Sequence, residues 1–544
     1  MSIQIIQRPQ LYLLPASTPT VYTLKLDSIV LNETNVKFIC EISIARNNDV
    51  NTAFPAATLK TSPNRMGVAI FDVSPVVEAY VNCSHEGREG VTSQNPNSDS
   101  TFKGTPFAQQ TPHPIHCIDN FCTNSTNLIW FKCNFRVEYL DTSTDQVLID
   151  PLYDKSDVQR LAYNGVLTND DPISYSPAPY HNYYYMLQDI NYQNGSGDYL
   201  IRGATGSDFG GKFLTNMPAN PLDCYGRAKP KDEHGGGEGE GGGEGEGEGK
   251  VCPAVIRLPM GENDYGTLGF FNCIAGGSIY TMPTHANKAI WGCAIEFYDI
   301  NGGFVSTFAY QNSPAWGGKS NVTPDNDVST QWVYFGHGLG NFKGRGGVIP
   351  ANATGYRVFA TTGQLIADSA QYESTSRIYD FEIIYDDCRG FEPMRLCWQN
   401  RLGAWDYYTF NLQSKKTVKT KAKTYQQLSG TWNEEVWRPK DHLGGQKVFT
   451  NNAVENWTMN SDYMPEEVAA WLQELFESSQ VYLVHPFYSD NPVMGFDLAQ
   501  YIHKYIEPVL LKSTSYTKKT RANDGLIQYS VKIEKSKRLN IQRA

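Results

Sequence analysis

The stretch "FKCNFRVEY", residues 131–139, alternates without a break. Phe131, Cys133, Phe135, Val137 and Tyr139 fall on one side, and Lys132, Asn134, Arg136 and Glu138 on the other. Successive side chains of an extended chain point to opposite faces, so a period of two fits a half-buried strand and excludes an amphipathic helix. The same signature recurs far away in sequence. In "VKFICEISI", Val36, Phe38, Cys40, Ile42 and Ile44 share a face, and near the end Ile527, Tyr529, Val531 and Ile533 alternate with Gln528, Ser530, Lys532 and Glu534. "IEFYDINGGFVSTFAY" (295–310) reads as two strands about an Asn301-Gly302 turn, because both residues tolerate positive φ. Asp524-Gly525 offers another turn, and "MRLCWQNRLGAWDYYTF" a third hairpin, with strands over 394–400 and 405–410 about Leu402-Gly403.

Helical signals are few. Ser74 and Pro75 suit the cap and first turn of a short helix over 74–82. Pro465, Glu466 and Glu467 open a second over 465–478, whose Val468, Trp471, Leu472, Leu475 and Phe476 lie on one face. The expected fold is therefore mainly β: several antiparallel β-sandwich-like domains with a few short helices. Three regions are expected, 1–205, 206–410 and 411–544, the last being α+β. The 544 residues suffice for several cores, and 33 Tyr with 25 Phe favour strands over helical bundles.

The sharpest change in composition is "HGGGEGEGGGEGEGEGK" at 234–250, with ten glycines and no apolar residue. It separates "KFLTNMP" (212–218) from "VIRLPMGENDYGTLGFFN" (255–272), which read as parts of one domain, so the tract is expected to be an inserted loop and not a boundary. Glu238, Glu240, Glu244, Glu246 and Glu248 contribute five units to a net charge of −11 and offer a surface to a basic neighbour. The remaining charge is mildly acidic, which argues against direct nucleic-acid binding. No apolar run reaches the ~18–20 residues needed to span a bilayer, and the start lacks the pattern of a signal peptide, so neither membrane insertion nor secretion is expected. The eleven cysteines are then expected as buried free thiols.

No catalytic, cofactor-binding or metal-binding residue is expected. "AWGGKS" (315–320) resembles the end of a phosphate-binding loop but lacks its first glycine and the following helix. "FGHGLGNFKGRGG" (335–347) lacks both the spacing and the helix of a dinucleotide site and reads as a glycine-rich loop. His113, His116, Cys117 and Cys122 are all zinc-ligand types, yet crowd into ten residues without a second pair, which favours packed side chains. Tyr180, Tyr183, Tyr184, Tyr185 and Tyr192 suit a core strand or an interface. Lys419, Lys421 and Lys423 in "SKKTVKTKAKT" share one strand face and read as guards of an edge strand. No nucleophile elbow or metalloprotease motif occurs, and the chain is not expected to be an enzyme.

Several phrases resemble tail- or baseplate-type virion structural proteins of tailed bacteriophages, of the marine and Bacteroidetes-type phages. They are "LKTSPNRMGVAIFDVSPVVEAYV" (59–81), "LAYNGVL" (161–167), "KFLTNMP", "EPMRLCWQNRLGAWDYYTF" (392–410) and "PVLLKSTSYTKKTRANDGLIQYSVKIEKS" near the end. The resemblance implies a structural part of the particle, located in the virion tail and in host cytoplasm during assembly. Its implied partners are other virion proteins and copies of itself. A receptor-binding fibre or spike that takes host surface glycan is the alternative, although no repetitive shaft or trimerising coiled coil is visible.

Overall fold

The computed structural model describes residues 3–9, 13–26, 33–45, 53–81, 92–93, 121–123, 127–167, 173–175, 183–185, 190–193, 198–201, 213–220, 255–271, 292–311, 332–344, 346–362, 373–374, 376–385, 391–431, 435–486, 506–513 and 526–536. It is mainly β, with several antiparallel sheets and few short helices. No described helix is long and apolar enough to cross a membrane. The chain forms two compact units. The first comprises Met1–Leu258, Tyr265–Ile383 and Asn400–Asp406, the second Pro259–Asp264, Ile384–Gln399 and Tyr407–Ala544. The junction expected near 205 and the Gly/Glu tract both lie outside the described residues.

In the first unit, strands Gln4–Gln7, Val21–Lys25 and Val68–Asp72 form one small antiparallel sheet. A larger sheet runs Leu13–Pro15, Arg160–Tyr163, Leu128–Asp141, Thr34–Ala45 and Phe54–Thr61, with Gln146–Ser156 also pairing Leu128–Asp141. One hydrophobic cluster draws on both sheets: Tyr22, Leu24 and Phe71 from the first, and Phe38, Cys40, Ile42, Ile44, Phe131, Cys133, Phe135 and Val137 from the second. Those of the second sheet are residues that the alternation assigns to the inner face, where Val36 is also buried and Tyr139 partly so. Glu138 departs from the pattern: it is buried although it lies on the polar face, because Lys60 reaches across to pair with it at 2.6 Å.

The helix expected over 74–82 is shorter, Ser74–Glu78, and Ser74 does not cap it. Val73 holds the cap position, and Asp72 Oδ1 instead accepts from the Ser74 amide at 3.0 Å and from the Thr20 amide at 3.1 Å. That carboxylate ties the helix start to the neighbouring strand.

Further along the same unit, Gly292–Tyr298 lies between Phe304–Gln311 and Gly355–Thr362. The expected hairpin turn is present, but only Gly302 has positive φ (78°). Asp299 completes the turn, accepting from the amides of Asn301 at 2.9 Å and Gly303 at 2.8 Å. Thr92–Ser93 and Phe121–Thr123 join a sheet with Trp332–Gly336 and Thr267–Phe271.

The stretch 335–347 corrects the sequence expectation of a loop without a helix. Strand Trp332–Gly336 runs into helix Leu339–Gly344. Leu339 and Phe342, one turn apart, are fully buried, and Phe342 packs against Phe308 at 4.9 Å and Phe297 at 5.4 Å. Two apolar anchors thus outweigh the glycine content that argued against a helix.

The second unit is organised by one seven-stranded sheet: Trp405–Phe410, Met394–Gln399, Val481–Val484, Ile506–Leu511, Ser530–Lys535, Gly445–Asn460 and Lys415–Gln427. The first two strands form the expected hairpin; its turn, within the Asn400–Asp406 segment that belongs to the first unit, places Gly403 at φ 83°. Val531, Ile533 and Tyr529 are buried as the alternation predicts, and Ile527 with them. The helix expected over 465–478 occurs as two pieces, Glu466–Leu472 and Glu474–Glu477. Val468, Trp471, Leu472 and Leu475 are buried, and Trp471 lies 5.2 Å from Trp398. Phe476 is only half-buried, packed on Tyr529 at 5.7 Å.

Candidate interaction surface

Two strands of the second unit run beyond the body of their sheet. Gly445–Asn460 pairs with Ser530–Lys535 only through Asn456–Asn460, whereas its pairing with Lys415–Gln427 continues to Gly445. The ten pairs from Val418↔Glu455 to Gln427↔Gly445 therefore have no third strand beside them among the described residues. At about 3.3 Å per residue they form a ribbon roughly 33 Å long. Every residue from Val418 to Gln426 is exposed, on both faces.

The base of the ribbon is fixed firmly. The buried Trp457 ring lies between two ammonium groups, Lys416 at 4.4 Å and Lys535 at 4.5 Å, a cation–π sandwich. Its indole N–H donates to Glu455 Oε1 at 2.6 Å. Lys416 also pairs with Glu392, and Lys535 with Glu507 at 3.0 Å and Glu455 at 3.8 Å. His485 lies 3.6 Å from Glu507, and burial holds its pKa below the usual imidazole value despite that carboxylate.

The far end is built to a defined shape. A register shift after Lys423 leaves Phe449 beside the step, with its ring 6.5 Å from that of Tyr425. In the connecting loop, Thr431 Oγ1 donates to the Val436 carbonyl at 3.0 Å and accepts from the Arg438 amide at 2.9 Å. Trp437 donates its indole N–H to the Ser429 carbonyl at 2.9 Å, and so crosses Gly430 (φ 74°), where a Cβ would fall 2.4 Å from Trp437 Nε1. Val418, Tyr425, Leu428, Val436, Trp437, Val448 and Phe449 are all large and exposed, Trp437 by 59%. Aromatic and aliphatic side chains concentrated on a projecting element are the composition of a contact surface.

One face of the ribbon is cationic. Lys415, Lys419, Lys421 and Lys423 alternate along it, opposite Thr458, Val454, Asn452 and Thr450. Among the described residues the strand is the last in its sheet, the position that the edge-guarding reading of these lysines requires.

Two buried polar networks in the first unit are of a different kind. Arg160 donates from Nε to Asp157 Oδ2 at 2.9 Å and to the Tyr22 hydroxyl at 3.0 Å, and Tyr22 donates to Asp157 Oδ2 at 2.9 Å. Arg8 holds the other carboxylate oxygen. In the second network Tyr298 donates to Asp380, and Arg357 reaches both Asp380 at 3.5 Å and Glu296 at 3.4 Å while covering the Tyr298 ring at 4.5 Å. Burial and the neighbouring Asp380 push the Tyr298 hydroxyl well above the ordinary phenol value. The carboxylates of Asp157 and Asp380 have no exposed surface, so a substrate cannot reach them. Both networks act as satisfied polar cores.

Of the other residues singled out in sequence, His113, His116, Cys117, Tyr180 and "AWGGKS" lie outside the described residues. Cys122 belongs to strand Phe121–Thr123, opposite Tyr334. Tyr183–Tyr185 pairs with Ile173–Tyr175, and Ile190–Gln193, which contains Tyr192, with Asp198–Ile201. Among the described residues no group of three or more His, Cys, Asp or Glu is arranged to hold a metal ion. Cys40, Cys133, Cys293 and Cys397 are buried free thiols.

Compared with protein-family models and with curated proteins, the sequence matches none. Among solved structures it is similar to the native conformation of E. coli alpha-2-macroglobulin, at 7% identity and a TM-score of 0.16 over 90% of this chain. The chain spans 23% of that protein's chain, and a likeness so slight carries no argument about fold or function.

Proposed function

We propose that the chain is a non-enzymatic structural component of a tailed-phage virion, of tail or baseplate type, present in several copies and bound to other virion proteins. The observation that supports this reading is the projecting ribbon: ten residue pairs with no third strand beside them among the described residues, an exposed outer strand over Val418–Gln426, an apolar end and a lysine face. Such an element adds little to the stability of its own unit, and its composition suits burial against a neighbour. The phrase-by-phrase resemblance to tail- and baseplate-type proteins points the same way. In this reading the chain is made in host cytoplasm and ends in the particle.

Imaging purified particles at a resolution that traces the chain tests it. Several symmetry-related copies in the tail, with the ribbon buried against neighbours, are expected. Purified particles that lack the chain would overturn the assignment. A second reading, host recognition, draws on Trp437, whose exposed ring is a platform on which a sugar could stack. Saturable binding of the purified chain to host cells, lost in W437A, would favour it.

A further inference from the structure

Strand Lys415–Gln427 stands at one end of the seven-stranded order, so among the described residues one of its edges has no neighbouring strand. The N–H and C=O groups along that edge are available to another extended chain. The strand contains no proline, and from Lys415 to Lys423 its register with Gly445–Asn460 is unbroken. Lysine is the remaining guard. Lys419, Lys421 and Lys423 share one face, are exposed, and stand opposite Val454, Asn452 and Thr450, none of which is acidic. The carboxylates around the ribbon's base are engaged by other cations: Glu392 by Lys416, Glu455 and Glu507 by Lys535, Glu534 by Lys512. Among the described residues no carboxylate pairs with the three edge lysines.

The chain itself carries the complement of this edge. Residues 244–248 read Glu-Gly-Glu-Gly-Glu. In an extended strand, alternate residues share a face at a repeat of about 6.6–6.8 Å, the same repeat that separates Lys419, Lys421 and Lys423. The intervening glycines bring no side chain to the opposite face, so the segment can lie along the edge without displacing anything there. We propose that Glu244–Glu248 of one copy adds as a strand to the Lys419–Lys423 edge of a second copy, with three glutamates facing three lysines. Backbone pairing provides the attachment, and the charge ladder selects register and partner. The same lysines that repel an unrelated edge thereby accept this one. The inference rests on the multi-copy reading above.

Charge exchange in the full-length chain tests it, with self-association followed by sedimentation. K419E/K421E/K423E and, separately, E244K/E246K/E248K should each weaken self-association by about tenfold or more, three exposed pairs being replaced by three repulsions. The chain carrying both sets should regain wild-type association, because the pairs are restored with their signs exchanged. Raising the salt concentration should weaken the wild type, since exposed charges are screened. All six positions are surface or tract positions, and unchanged circular dichroism of each variant confirms that folding is intact. A wild-type chain that stays monomeric at every concentration, reversals that leave association unchanged, or a combined variant that is not rescued would each overturn the proposal. Particles that incorporate the chain in several copies despite such a result would leave the virion reading standing while this contact falls.

Discussion

Replacing Asp157 by asparagine keeps the shape of the side chain and removes its charge. In the folded chain the Asp157 carboxylate has no exposed surface, Arg160 is 2% exposed, and the two groups lie 2.8 Å apart. D157N leaves the Arg160 guanidinium in the same dry site without its counter-charge. Breaking a buried pair from one side costs about 3–5 kcal/mol, and that loss is expected for unfolding of the first unit near neutral pH. Arg8 adds less, because it is 39% exposed and solvent screens its pairing. The double variant D157L/R160M, which removes both charges, should cost much less than D157N alone.

The pH dependence has a definite sign. Burial by itself would raise the Asp157 pKa, but Arg160 and Arg8, with hydrogen bonds from Arg160 and Tyr22, hold it below the ordinary carboxylate value. The folded pKa therefore lies under the unfolded value of about 3.9, so the stabilisation is fully present above that pH and disappears as pH falls through the folded pKa. Protonated Asp157 resembles asparagine, and the gap between wild type and D157N should narrow on acidification. Urea unfolding followed by tryptophan fluorescence, with each unit's transition fitted separately, measures the gap at neutral and acidic pH. A loss below about 1 kcal/mol, the range of an exposed pair, would refute the reasoning, as would a gap indifferent to pH.

Two further substitutions probe other parts of the chain. Gly403 has φ 83°, and a Cβ there would fall 1.8 Å from the Asn164 carbonyl oxygen, a backbone atom that cannot swing aside. G403A should therefore cost at least about 1–3 kcal/mol, read as a lowered unfolding midpoint of the first unit. At the ribbon's base, W457L removes a ring between two ammonium groups and should destabilise the second unit by more than W457F, which keeps a ring. The difference, about 1–2 kcal/mol from two cation–π contacts, is measurable by urea unfolding, and equal losses would show that the sandwich contributes nothing.

Strand faces were legible in the sequence wherever one face meets a core. Val36 to Ile44 and Phe131 to Val137 alternate because a two-sheet core takes one side and water the other. The Arg160–Asp157–Tyr22 network was not legible, since Tyr22 lies 135 positions from Asp157 and nothing local marks any of them. Helix Leu339–Gly344 was hidden for a different reason: it is held by Leu339 and Phe342 alone, too few apolar positions to establish a period, amid glycines that argue against it. The lysine edge was visible at Lys419, Lys421 and Lys423, but its projection was not. Projection depends on where Ser530–Lys535 stops pairing, and that is a property of a strand about a hundred residues away.

The ribbon's own energetics give a test of the proposed contact. A two-stranded ribbon without a third strand or a covered face is marginal in water. Here the Tyr425–Phe449 contact and the hydrogen-bonded end loop lie at the far end of the ten pairs, while Trp457 and Met459 bury the base. Backbone amides from Lys419 to Gln427 should therefore exchange with solvent at least about 100-fold faster than those of Val531 and Ile533, which open only with the core of the second unit. In assembled particles the same amides should become slow, because a neighbouring strand or surface then excludes water from them. Hydrogen exchange read by mass spectrometry on the free chain and on particles separates the cases. Slow exchange of 419–427 in the free chain would mean that the ribbon is rigid by itself, and its exposed edge would then need no occupant to explain it.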